Sequence, residues 1–158
     1  MKMSAGERKF HRKAGARCFN GAWDLLDKKS RSREDDITML HLAHASRYHW
    51  SLVGTPTNRA VGDWQISRIY AALGQPGLAL VFAKECLRAC KKDGLSEIEH
   101  TADEAMARAY AVGDDYARAR RYLTEARSRL DGLSMDKEDR EVYLAQLKDT
   151  ESLIGKRA

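Results

Sequence analysis

Residues 63–79 read DWQISRIYAALGQPGLA, and residues 103–119 read DEAMARAYAVGDDYARA. Five residues recur 40 positions apart: Asp63/Asp103, Arg68/Arg108, Tyr70/Tyr110, Ala71/Ala111 and Ala79/Ala119. Ser67 and Ala107 are both small, and Ile66 and Met106 both apolar. Each copy reads as a helix, a turn and the start of a second helix. A fixed period of this size is the mark of helical hairpins stacked on one another, because one hairpin cannot bury its apolar face alone.

Working outward, glycine punctuates the chain. Gly54, Gly74, Gly94, Gly113, Gly132 and Gly155 fall about 20 residues apart, where helices are expected to end. Start signals lie between them. Ser4 with Glu7, Ser32 with Asp35 and Ser96 with Glu99 have capping-box spacing. Thr55 to Asn58 makes a turn, Pro76 suits a first helical position, and Asp114 or Asp115 can cap the helix after Gly113. These signals predict seven helices, over about 4–28, 33–53, 58–73, 76–93, 97–113, 116–131 and 136–154. No run alternates long enough for a strand. Gly15 and Gly21 either kink the first helix or admit a close neighbour, and Phe19, Trp23 and Leu26 share one of its faces. The last helix, with Val142, Leu144, Leu147, Leu153 and Ile154, reads as a cap on the stack.

The chain of 158 residues fits one domain, 1–158. Its net charge of +5 is uneven. Residues 1–33 hold ten Lys/Arg against three Asp/Glu, and the remainder is slightly acidic. No apolar run approaches the roughly 20 residues that span a bilayer. The N-terminus lacks the apolar core of a secretory signal. Three cysteines, an odd number, argue against a disulfide framework, so the expected location is cytoplasmic.

The repeat resembles the tetratricopeptide repeat, an antiparallel helix pair. Ser67, Tyr70, Gly74, Ala79 and Cys86 match its small–aromatic–turn–small pattern, and so do Ala107, Tyr110, Tyr116, Ala119, Leu123 and Ala126. The period of 40 departs from that family's usual 34, Gly113 comes one residue early, and the inter-repeat proline survives only as Pro56. The resemblance implies an all-α, right-handed stack. It would comprise a degenerate pair at 4–53, clear repeats at 58–93 and 97–131, and a capping helix at 136–154.

In that family the first helix of each pair lines a concave groove. Carried over, this puts Trp64, Arg68 and Ala71 on one stripe and Glu104, Arg108 and Ala111 on the next. Two neighbouring guanidinium groups can grip a carboxylate or phosphate bidentately. The alternative is that each arginine pairs with a nearby acid, Asp63 or Glu104. The first expectation for function is therefore a non-enzymatic interaction module that binds an acidic peptide or partner in its groove. The second is a small-molecule or enzymatic pocket around His44, Tyr48, Arg59 and Trp64. The third is a homo-oligomer through the terminal helices.

Other chemistry is sparse. His41 and His44 have a spacing that two metal ligands can use, and so do Cys86 and Cys90, but neither pair has further ligands in view. No nucleophile elbow, phosphate loop or dinucleotide fingerprint occurs. No metal, cofactor or catalytic residue is expected. Arg8, Lys9, Arg12, Lys13 and Arg17 form a basic face without interleaved aromatics. It is read as solvated, with neither specific nucleic acid nor membrane as partner.

Overall fold

The computed structural model describes residues 2–155; Met1 and residues 156–158 of the expected single domain lie outside the described residues. Seven helices and no strand occur among them. They are α1 (Ala5–Leu26), α2 (Arg33–Val53), α3 (Pro56–Ala72), α4 (Pro76–Asp93), α5 (Glu99–Val112), α6 (Tyr116–Asp131) and α7 (Lys137–Gly155). The all-α class and the helix count agree with the sequence reading.

Local chemistry sets the boundaries. Ser4 and Ser32 form the expected capping boxes with Glu7 and Asp35. Thr55 forms a third with Asn58, which starts α3 two residues earlier than the sequence suggests and places Pro56 in its first turn. Asp115 accepts from the Arg118 backbone N–H and caps α6. The Ser96–Glu99 box does not form. A turn carries the chain through Glu97, and α5 starts after Ile98 with no side-chain cap.

The 40-residue period survives in atomic detail. Gly74 takes the left-handed conformation at φ 69°, and Asp114, not Gly113, takes it in the second copy at φ 64°. The turn bonds then coincide: Gln75 N–H reaches Tyr70 O at 2.9 Å, and Asp115 N–H reaches Tyr110 O at 2.9 Å. The ring packing coincides as well. Tyr70 stacks on Phe82 with centroids 5.7 Å apart, and Tyr110 stacks on Tyr122 at 5.7 Å. Ala79 and Ala119 are fully buried at the tight crossings between these elements. The early Gly113 therefore leaves the turn unchanged, because a short polar side chain tolerates the left-handed region.

Each helix packs against the next, and α1, α3, α5 and α7 also touch one another in series. No such backbone contact links α2, α4 and α6. The stack thus has two layers, with α1, α3, α5 and α7 forming one of them. Helix α5 lies at its centre, and Thr101 through Ala109 are buried without a break. Helix α1 runs unbroken through Gly15 and Gly21. They admit neighbours: a Cβ at Gly15 would meet the Trp50 ring at 3.0 Å, and one at Gly21 would meet Leu42 at 3.2 Å.

Candidate functional site

The α1–α3–α5–α7 layer gathers the charged residues that the repeat predicts. Trp64 and Arg68 come from α3, and Glu104 and Arg108 from α5, one turn apart within each helix. Trp64 Nε1–H donates to Glu104 Oε2 at 3.2 Å. Arg108 Nε–H donates to Glu104 Oε1 at 3.0 Å, and Arg68 Nη1–H reaches the same oxygen at 3.5 Å. Two further partners come from α7, which the sequence marked only as a cap. Thr150 Oγ1–H donates to Glu104 Oε1 at 2.5 Å. Asp149 Oδ2 accepts from Arg108 at 2.9 Å and from Arg68 at 3.5 Å.

Glu104 is the hub, with 2% of its surface exposed. Burial alone pushes its carboxyl upward, but Arg108, Arg68, Thr150 and Trp64 together outweigh this and hold it below the usual carboxylate range. The two arginines differ. Burial acts against the charge of both, but Glu104 and Asp149 overcompensate for Arg108. Arg68 remains undercompensated, because Arg108 adds like-charge repulsion and its own acids stand 3.5 Å away. Its guanidinium also lies over two rings, 5.6 Å from the Trp23 centroid and 6.0 Å from that of Trp64.

A cleft of about 340 Å³ opens beside this network. Leu26, Asp27 and Arg31 line it from α1 and the following loop, Arg68 and Ala72 from α3, Arg108 from α5 and Asp149 from α7. Arg31 is tethered to Asp36 at 2.7 Å and to Leu26 O at 3.2 Å. Arg68 and Arg108 thus share one face, as the repeat predicts. Glu104 pairs with each arginine, and each also borders the open cleft. Asp63 does not join them, because Arg47 takes it through two bonds at 2.8 and 3.3 Å.

The second constellation does not assemble. No hydrogen bond, ion pair or ring contact joins any two of His44, Tyr48, Arg59 and Trp64 among the described residues. His44 Nε2 meets Tyr70 Oη at 3.1 Å, and its ring abuts Phe82. Tyr48 is 61% exposed, and Arg59 donates to Gly54 O at 3.2 Å. Trp64 meets Glu104 instead. The cause is rotational: these residues come from two helices whose apolar stripes, not their polar residues, fix the angle at which they meet.

His41 is exposed, and His49 meets His11, Nδ1 to Nδ1, at 2.8 Å. No group of three or more His, Cys, Asp or Glu gathers to hold a metal among the described residues. Cys86 and Cys90 are buried thiols in the core around Trp64. Another cleft, about 740 Å³, is a trough between α6 and α7 at the end of the stack. It shares no residue with the arginine network.

Sequence reasoning missed Asp149, Thr150, Arg31 and Trp23. One signal was present: Thr150 follows Leu147 by three residues and precedes Ile154 by four, on the same buried stripe of α7.

The fold and site define an all-α protein of stacked hairpins with a buried Arg–Glu–Arg centre. The chain matches no family model, no curated protein and no solved structure. No helix among the described residues is long and apolar enough to cross a membrane.

Proposed function

We propose that this chain is a non-enzymatic interaction module of the tetratricopeptide type, receiving an acidic segment of a protein partner at the Arg31–Arg68–Arg108 cleft. The observation that carries the reading is the state of Arg68. Its charge is largely buried and cannot be removed by deprotonation, yet its two ion-pair acids stand at 3.5 Å and Asp27, the third acid nearby, forms no ion pair with it. An incoming carboxylate at this cleft would supply a closer partner, in the bidentate geometry that guanidinium groups favour. Asp149, with its side chain 56% exposed, is held by Arg108 at 2.9 Å, so an incoming carboxylate would displace only its longer contact with Arg68 at 3.5 Å.

The scatter of His44, Tyr48, Arg59 and Trp64 supports a binding role over an enzymatic one. The free cysteines support a reducing compartment, the cytoplasm. The partner in this reading is a protein, with neither nucleic acid nor membrane required. Fluorescence anisotropy with a labelled Glu-rich octapeptide and its Gln counterpart tests it. The Glu peptide should bind at least tenfold more tightly, and Arg68→Ala should erase the difference. Equal binding of the two peptides by the wild-type protein would refute the reading.

A further inference from the structure

A second, smaller cleft of about 180 Å³ lies between the first three helices. Ala16, Phe19 and Asn20 of α1, Trp50 of α2, and Asn58 and Val61 of α3 line it. Phe19, Trp50 and Val61 are all half-buried, so their apolar faces are only partly covered. Gly15 gives the cleft its wall, since only a residue without Cβ lets the Trp50 ring lie this close to α1. Pockets for whole small ligands run to roughly 300–1,000 Å³. This one has room for a single side chain.

Its position relative to the arginine cleft gives it meaning. Helices α1 and α2 are antiparallel, with His11 against His49 and Gly21 against Leu42. Helices α2 and α3 are antiparallel as well, with Arg47 against Asp63 and His44 against Tyr70. Helices α1 and α3 therefore run parallel, and both clefts lie along their seam. On α1 the lining passes from Asn20 to Asp27, and on α3 from Val61 to Arg68. Each step is two helical turns, about 10 Å at 1.5 Å of rise per residue. Centre to centre, the clefts are about 10–15 Å apart, which an extended chain covers in three to five residues at roughly 3.3 Å each.

A run of ring contacts links the two clefts, with Trp23 half-buried and Trp64 buried beneath it. Phe19 meets Trp23 edge-on at 6.4 Å, Trp23 meets Trp64 at 5.4 Å, and the Arg68 guanidinium caps Trp23. Beyond the apolar cleft, Lys9, Arg12 and Lys13 of α1 precede Ala16 by seven, four and three residues. All three are exposed, and none forms an ion pair among the described residues. Basic side chains thus stand at both ends of this run of rings, three arginines against Asp27 and Asp149 at one end and Lys9, Arg12 and Lys13 at the other. The complementary object is an extended acidic chain with one apolar residue at the right place.

We infer that the Phe19–Trp50–Val61 cleft seats an apolar side chain of the same acidic peptide, about four residues from the carboxylate that Arg68 takes. This rests on the function proposed above and sets the spacing of the partner's motif. The carboxylate is either an Asp/Glu side chain or a chain terminus.

The test uses the full chain and labelled peptides in which one Phe and one Glu are separated by one to eight Gly/Ser residues. Phe→Ser and Glu→Gln versions serve as controls, with the C-terminus amidated or free. Affinity should peak near three intervening residues, and Phe→Ser should cost about tenfold there, the worth of burying part of one side chain. With ¹⁵N-labelled protein, the indole N–H of Trp50 should shift with the Phe peptide and not with the Ser peptide. Ala16→Trp, which fills the cleft mouth from an exposed position, should erase the Phe preference. Binding that survives amidation identifies a side-chain carboxylate; binding that requires the free acid identifies a terminus.

The failures are separable. Preserved Glu-over-Gln discrimination with no Phe preference at any spacing overturns the inference and leaves the acidic reading standing. A Phe preference without Glu-over-Gln discrimination overturns the acidic reading. Absence of binding by every peptide overturns both.

Discussion

Arg68 and Arg108 stand 40 residues apart in sequence and share both oxygens of their charge balance: Glu104 Oε1 and Asp149 Oδ2 each accept from the two guanidinium groups. The sharing is unequal, 3.5 Å on the Arg68 side against 3.0 and 2.9 Å on the Arg108 side. Arg108 is fixed as a structural ion, and Arg68 is the one with unmet demand.

Glu104→Gln should be strongly destabilising, by about 3–5 kcal/mol in urea unfolding, because it strips the charge from a buried pair and leaves two guanidinium groups facing each other. A loss below about 1 kcal/mol would show that Glu104 is not the hub of the packing.

Arg108→Ala and Arg68→Ala should separate. The first leaves the Glu104 carboxylate without its closest cation and should cost at least about 2 kcal/mol of stability. The second removes longer contacts and should cost less than half as much. Changing both arginines together would therefore confound folding with binding. Urea midpoints in which Arg68→Ala is the worse of the two would reverse the assignment of roles.

Ala79→Leu and Ala119→Leu each insert bulk at a fully buried crossing, and the Ala79 carbonyl also accepts the Ser67 hydroxyl at 2.7 Å. Each should cost about 1–3 kcal/mol. Unchanged urea midpoints would show that the crossing has slack.

Two neighbouring glycines should respond in opposite directions. Gly74 is left-handed at φ 69°, so Gly74→Ala should lose about 1 kcal/mol despite open space around it. Gly77, in the first turn of α4 with nothing within 4 Å of an added Cβ, should gain up to about 1 kcal/mol as Gly77→Ala. Thermal unfolding that moves both in the same direction would contradict the turn geometry.

Acidification from pH 7.5 to 5 should lower the melting temperature. Burial depresses the imidazole of His100, and partial cover by Tyr70 and Phe82, with His41 adding to it, depresses that of the more exposed His44. His100 packs on Tyr143 at 4.4 Å, and its Nε2 is buried without a hydrogen-bond partner. With folded values below the unfolded value of about 6.5, their contribution is full above pH 6.5 and is lost as pH falls through the folded values. Burial raises the carboxyls of Asp63 and Asp103, which acts in the opposite sense. A His44→Gln/His100→Gln protein should show a flatter profile over the same range. An identical slope would assign the acid sensitivity elsewhere.

The sequence by itself determined the seven helices, their boundaries within about two residues, and the equivalence of Arg68 with Arg108. These come from short-range chemistry: caps act over three residues, and a left-handed turn residue acts on its own turn. Even the shift from Gly74 to Asp114 is decided locally, by what a single backbone position tolerates. The tertiary structure alone decided which acids the arginines meet. Asp149 lies 81 residues from Arg68, and its approach depends on how far α7 rotates and slides as Leu147, Thr150 and Ile154 bury themselves. The same reason dissolved the His44–Tyr48–Arg59–Trp64 grouping and created the Phe19–Trp50–Val61 cleft. Periodicity says which stripe of a helix is apolar, but the angle between two helices is set by the packing of both, and polar side chains converge only where that angle brings them.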